Sequence, residues 1–280
     1  MRSKLALSKE LTIISANRQD ENYWRDLWRE RELFYFLAWR DLLVRYKQTI
    51  VGVAWTVLRP LASILVYTFV FGILAQLPSQ GVPYTLVVLT GLLPWQLFSL
   101  VLIVSSDSLL ANSQLVQKVY FPRLVIPASS VIVCVVDHLI SFLLVFGLML
   151  WFGILPGWQF LLLPFVTLLA VACALGLGLV AAALNTRFRD LRQLIPIVLQ
   201  VGVFICPVAY LTSLVSPKWQ IIYALNPMVG IIDAFRWCIL GQTDIIYPPS
   251  ILVSIVFAAA ALFAGIKVFR RMEDAFPDMM

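Results

Sequence analysis

The sequence predicts an all-α polytopic membrane protein with six transmembrane helices, an N-terminal amphipathic interface helix and a short external helix between spans five and six. Three observations lead there. Hydrophobic residues make up 61% of the 280-residue chain and charged residues 13%, against ~45–50% and ~25% in soluble domains. That ratio leaves too little polar surface to face water. The apolar residues fall in continuous runs, six of them long enough for the ~20 residues a spanning helix needs. Continuous runs without alternation exclude a β-barrel, the other structure that satisfies its backbone in lipid. The third observation is the placement of basic residues, taken up below.

The first span covers 61–77, with its start near Trp55, Arg59 close enough to the end to reach the headgroups, and Pro60 marking a kink. The remaining spans cover 84–104, 126–152, 160–184, 194–214 and 250–268. Span four places Ala174, Gly178 and Ala182 at four-residue intervals, a stripe that lets another helix approach closely. Span five carries Pro196 and Pro207 and is predicted to bend. Asp137 and His138 sit near the middle of span three. They either complete an interhelical hydrogen bond or serve the function directly; one such pair without a second carboxylate makes a poor proton relay.

Of the 21 Lys and Arg residues, only Lys218 and Arg236 lie on the loops after spans one, three and five. The others crowd the segment before span one, the loops after spans two and four, and the tail. The positive-inside rule then sets both termini in the cytoplasm. The net charge of +6 is a topological signal here, and no nucleic-acid partner is expected. Residues 1–48 form a cytoplasmic N-terminal segment, and 49–280 the six-span domain. No secretory signal is expected at the start, because Lys4, Lys9, Glu10, Arg18 and Asp20 interrupt it.

Three segments are neither spans nor simple loops. Over 20–48, Trp24, Leu27, Trp28, Tyr35, Ala38 and Leu42 follow helical spacing among charged residues, as in a helix lying along the headgroups. It is either an anchor alone or an anchor that also meets a substrate or a cytoplasmic partner. The loop 105–123 carries Leu109, Leu110, Leu115 and Val116 at helical spacing before a Phe121-Pro122 break, a short helix able to dock into another protein or a solvated connector. Beyond span five, Asn226 is a natural N-cap, Pro227 the first helical position and Gly241 a natural stop. The helix between them carries Asp233 and Arg236 three apart, on one face. It reads as re-entrant or surface-lying.

The chemistry missing from the chain narrows its function. There is no phosphate loop, no HExxH, no GxSxG and no dinucleotide fingerprint. A single histidine cannot build a His-rich metal site, and Cys134, Cys173, Cys206 and Cys238 read as small core residues. No catalytic residue and no metal site is therefore expected, and any work needs an outside energy source. A membrane glycosyl- or acyltransferase would need clustered acidic or His residues on a loop, and a passive channel gives no reason for a docking loop.

Five stretches carry a resemblance: 39–61 (WRDLLVRYKQTIVGVAWTVLRPL), 118–127 (KVYFPRLVIP), 185–196 (NTRFRDLRQLIP), 206–210 (CPVAY) and 226–241 (NPMVGIIDAFRWCILG). In this order, on a six-span plan, the chain resembles the permease subunit of bacterial type-2 ABC exporters of the polysaccharide group, which export O-antigen, capsule or teichoic acid. The resemblance implies two copies of the chain and two copies of a cytoplasmic ABC ATPase that holds the ATP and Mg. It implies a lipid-linked polysaccharide cargo and a place in the bacterial inner membrane among its lipids. It makes Trp24, Leu27 and Trp28 part of the interface helix, and Lys118, Tyr120, Phe121, Pro122 and Arg123 the ATPase-docking loop. It makes Asn226, Pro227, Asp233 and Arg236 part of an external gate helix, and spans one and five the lining of a channel. Tyr67, Phe71, Phe204 and Tyr210 are then the candidate channel aromatics, whose faces can stack on sugar rings without fixing their identity.

Overall fold

The computed structural model describes residues 23–47, 53–119, 121–188, 190–241 and 247–276. Among these are eleven α-helices: α1 (Tyr23–Arg29), α2 (Arg31–Lys47), α3 (Ala54–Tyr67), α4 (Tyr84–Ala111), α5 (Ser113–Lys118), α6 (Val125–Phe152), α7 (Leu163–Asn185), α8 (Leu191–Ile205), α9 (Pro217–Ala224), α10 (Pro227–Leu240) and α11 (Pro248–Met272). Five helical runs are long and apolar enough to cross a membrane: Ala54–Leu74, Tyr84–Ala111, Val125–Phe152, Trp158–Asn185 and Pro248–Ala275. The chain is a polytopic helical membrane protein.

α4 is the central element, packing on α3, α6, α7, α8 and α10. Of its apolar window 67% is buried, against 11% for Ala54–Leu74. The first span is therefore peripheral in the single chain, and its outward face needs lipid or another protein. The small stripe of span four faces α4, where a Cβ on Gly178 would strike Ser105 Oγ. The tightest backbone approach of α7 lies one step away, at Gly176, whose added Cβ would strike the α11 backbone at Ala261 and Leu262. Gly265 answers it from α11.

The prolines act where their missing N–H dictates. Pro60 leaves the Thr56 carbonyl without its helical donor, and the Ser141 hydroxyl of α6 stands 3.3 Å from that oxygen. Past Tyr67 the same helix continues as a π-helical turn, Thr68–Leu74. The largest departure from expectation is span five. Its helix stops at Ile205, because Pro207 drives Cys206 into an extended conformation (φ −88°, ψ 153°). A 15-residue helix rises only about 22 Å, so the predicted run 194–214 is not one continuous helix. The predicted loop 105–123 is also shorter than expected, since α4 runs on to Ala111 before α5 begins.

Candidate translocation, gate and docking surfaces

The break after α8 places bare backbone, residues 206–211, against the N-terminal half of α4. Backbone polar groups at membrane depth are tolerated only where protein satisfies them. Here two side chains do so. Arg236, fully buried on α10, donates to Tyr210 O at 3.0 Å, Val208 O at 2.9 Å and Val87 O of α4 at 3.1 Å. The Tyr84 hydroxyl donates to Ala209 O. Asn226, whose side-chain oxygen caps α10 by accepting from Met228 N at 3.0 Å, also points its amide at Cys206 Sγ, 3.3 Å away. Gly241 ends α10 in the left-handed region (φ 71°).

The geometry exists because α4 offers a gap. A Cβ on Gly91 would lie 2.5 Å from Val208 O and 2.6 Å from the Arg236 guanidinium. Asp233 does not complete an ion pair with Arg236 among the described residues; it accepts instead from the Thr212 hydroxyl at 2.7 Å. The two share one face of α10, yet the guanidinium reaches the broken backbone while the carboxylate turns to the segment after it. Tyr84, Gly91 and Thr212 were not singled out from the sequence. Only the Cys206-Pro207 break signals that donors must come from somewhere.

The four candidate channel aromatics separate into different environments. Phe204 is 62% exposed on α8, beside exposed Val201 and Ile205. Tyr67 and Phe71 stack on each other at 5.7 Å, with Tyr67 also packed against the core. Tyr210 folds back on α8, its hydroxyl 3.3 Å from Phe204 O and 2.9 Å from the Tyr223 hydroxyl. The Phe204 ring thus faces outward, while Tyr210 closes a helix end.

On the other side, α1, the α5–α6 linker and the tail meet. Glu273 accepts from Arg123 N at 2.6 Å and from the Tyr23 hydroxyl at 3.3 Å, and the Arg123 guanidinium donates to the Glu273 carbonyl. Arg270 lies over the Tyr23 ring at 4.3 Å. Burial, then the neighbouring Glu273, push the Tyr23 phenol well above its ordinary pKa, which keeps it a donor. Phe121 is 5% exposed, inside a cluster with Leu109, Val116, Phe269 and Phe276. Of the residues assigned to docking, Phe121 and Arg123 therefore hold the loop in place, Pro122 is half-buried, and Lys118 is exposed beside Gln114, Gln117 and Val119. Tyr120 lies outside the described residues. Trp24 and Trp28 are exposed on α1, whereas Leu27 packs on the cluster around Phe121.

Asp137 also finds its role. It pairs with Arg45 at the end of α2 and accepts from the Tyr46 hydroxyl, 91 residues away in sequence. It thereby ties the interface helix to α6. Arg45 and Tyr46 were missed because nothing local in the sequence connects them to span three. His138 lies edge-on to Phe142 and Phe235, with ring centroids 5.2 and 5.8 Å away.

A bundle of long apolar helices, with a broken helix sealed by a buried arginine and a loop locked to the tail, is a polytopic membrane protein. The comparisons name the class: a profile of the ABC-2 type transporter matches residues 32–240, and the chain belongs to that family. It is 27% identical over 257 residues to an O-antigen export system permease protein, RfbA, of Klebsiella pneumoniae, covering 89% of this chain and 95% of that one. It is 28% identical over 256 residues to the RfbA permease of Myxococcus xanthus, covering 91% and 97%. It is 24% identical over 243 residues to the polysialic acid transport protein KpsM of Escherichia coli, covering 84% and 92%. The chain is thus a transport subunit, and the family pairs it with an ABC ATPase.

Proposed function

We propose that this chain forms, as a dimer, the channel of an ATP-driven exporter that moves a lipid-linked polysaccharide across the bacterial inner membrane. O-antigen or a related surface glycan is the first cargo. The observation that carries the reading is the near-full-length similarity to permeases named for O-antigen export. The similarity to KpsM favours capsular polysaccharide as the second cargo. Two cytoplasmic ATPase chains supply the work, with ATP and Mg held there.

The fold supports this reading on three counts. The unpartnered apolar faces of α3 with its π-helical continuation (Leu65, Val66, Phe69) and of α8 (Leu194, Val198, Val201) suit a second copy around a shared path. Tyr23, the Arg123 linker and the tail share one side, while α10 packs at the opposite, Tyr84 end of α4. From α7 the chain must therefore pass outward once more to reach α10 and the start of α11. On this reading α8 and residues 206–211 make that fifth crossing of six, both termini are cytoplasmic, and α10 is the external gate. A glycan far longer than the bilayer needs a continuous path, and the exposed Phe204 face suits sliding sugar rings.

The test is co-expression with candidate ABC ATPases from the same host. A stable complex is expected, with ATP turnover that drops when Lys118→Glu and Val119→Asp alter the exposed docking face. Deleting the gene should strip the surface glycan from its host. A chain that purifies without any ATPase, from cells whose surface glycan survives the deletion, would sink the reading.

A further inference from the structure

Asp233 and Arg236 are fully buried, three residues apart on α10, yet no ion pair joins them among the described residues. A buried charge without an opposite one is costly, and two such charges on one helix face would ordinarily pair. One stretch of chain keeps them apart. Residues 208–212 supply partners to both: the Val208 and Tyr210 carbonyls take the guanidinium, and the Thr212 hydroxyl takes one carboxylate oxygen. Each charge also keeps an idle atom, since Asp233 Oδ2 and Arg236 Nε are buried and make no hydrogen bond among the described residues. Residues 206–211 lie in no helix, and the stretch reaches the surface just beyond, at the exposed Ser213 and Leu214.

We infer that Asp233 and Arg236 form a two-position switch. With residues 208–212 seated on α10 the charges are held apart; when that stretch lifts, they pair with each other. Every polar group then keeps a partner. Val87 O retains the Thr90 hydroxyl. The Val208 and Tyr210 carbonyls leave with their own stretch for water. The guanidinium, instead of being stranded as a buried cation, turns its Nε–H edge to Asp233 Oδ2. Seating and pairing exclude one another, because both draw on the same two charges, which is what makes the element two-state. Asp233 is thus a positioning residue, the group that makes the lifted position reachable. The inference rests on the export reading only in taking the lifted position for the opened path; the switch itself needs neither ATP nor cargo.

Cys206 begins the stretch and reports on it, being 2% exposed beneath the Asn226 amide. The test exposes the full chain in phosphatidylcholine nanodiscs to N-ethylmaleimide and follows each cysteine by peptide-resolved mass spectrometry. Alkylation of Cys206 samples the minor fraction with the stretch lifted. Cys134 on α6 and Cys173 on α7, buried in the main core, report general unfolding. Asp233→Asn keeps an acceptor for Thr212 but cannot neutralise the cation. It should slow alkylation of Cys206 about tenfold, the scale of a lost charge-assisted contact, and leave Cys134 and Cys173 unchanged. Thr212→Val frees the carboxylate and should speed Cys206 about tenfold, an acceleration that should vanish in the Asp233→Asn background. A carboxylate that only props Thr212 gives the opposite sign: Asp233→Asn would then label Cys206 as fast as the unaltered chain or faster, and the inference falls. It falls equally if Asp233→Asn exposes Cys134 and Cys173 along with Cys206, or if Thr212→Val accelerates labelling without the carboxylate. The expected order in a chain that exports no glycan sinks the export reading and leaves the switch standing; a failed order in a chain that does export sinks the switch alone.

Discussion

Replacing Arg236 with Leu tests the seal over the break after α8 most directly. The arginine is fully buried and its three donor contacts span 2.9–3.1 Å. Val87 O also receives the Thr90 hydroxyl at 3.2 Å. The carbonyls stripped of their side-chain donor are therefore those of Val208 and Tyr210. A buried acceptor left unsatisfied costs ~1–3 kcal/mol, so two cost about 2–6 kcal/mol. Double-mutant cycles in a membrane protein average ~0.6 kcal/mol per hydrogen bond, which draws the expectation toward the lower end, about 2–3 kcal/mol. At ~2–4 °C per kcal/mol for a chain near this size, Arg236→Leu should melt about 4–12 °C below the unaltered protein. Thermal unfolding followed by detergent size exclusion reads the shift. Gly91→Ala should produce a comparable loss by pushing the guanidinium off its acceptors while leaving the charge in place. The two substitutions should be strongly non-additive, because they break one arrangement. An Arg236→Leu protein melting within a degree of the original, or a double variant whose losses simply sum, would refute the seal.

Three further outcomes follow from the same contacts. Phe121→Ala should cost about 3–5 kcal/mol as a buried ring is lost from the cluster with Phe269 and Phe276, visible as a lower Tm of the permease alone, before any ATPase is added. Arg45→Met should cost about 3–5 kcal/mol by leaving Asp137 buried without its cation, while Arg45→Met combined with Asp137→Leu should recover most of it; limited proteolysis between α2 and α3 reports the release of the interface helix. Gly265→Val should drive a side chain into Gly176 of α7, lowering membrane yield far more than Gly147→Val, whose surroundings are open.

Much of the fold was legible in the sequence because its signals are local. Apolar run length locates the long spanning helices. Asn226, Pro227 and Gly241 delimit α10 through capping chemistry that acts within a few residues. The Cys206-Pro207 dipeptide marked a bend, yet its consequence was underestimated: the helix does not bend there but ends. Hydropathy windows cannot see this, since residues 206–211 are as apolar as a helix would be.

The candidate site was harder to read for a related reason. Phe121 and Arg123 look like docking residues on a short loop, yet Phe121 is buried and Arg123 bonds the tail 150 residues away. Asp137 looked like a lone intramembrane acid until Arg45 and Tyr46 were brought onto it.

By itself, the sequence determined that this is a many-spanned helical membrane protein and where α10 begins and stops. Those outcomes depend on the cost of exposing backbone and charge to lipid, a cost that each stretch of chain meets alone. Tertiary structure alone decided which buried polar group answers which. A guanidinium or carboxylate deep in a low-dielectric interior must find a partner, but several distant segments could supply one, and only the packing of α4 against α10, of α6 against α2 and of the tail against the linker selects it.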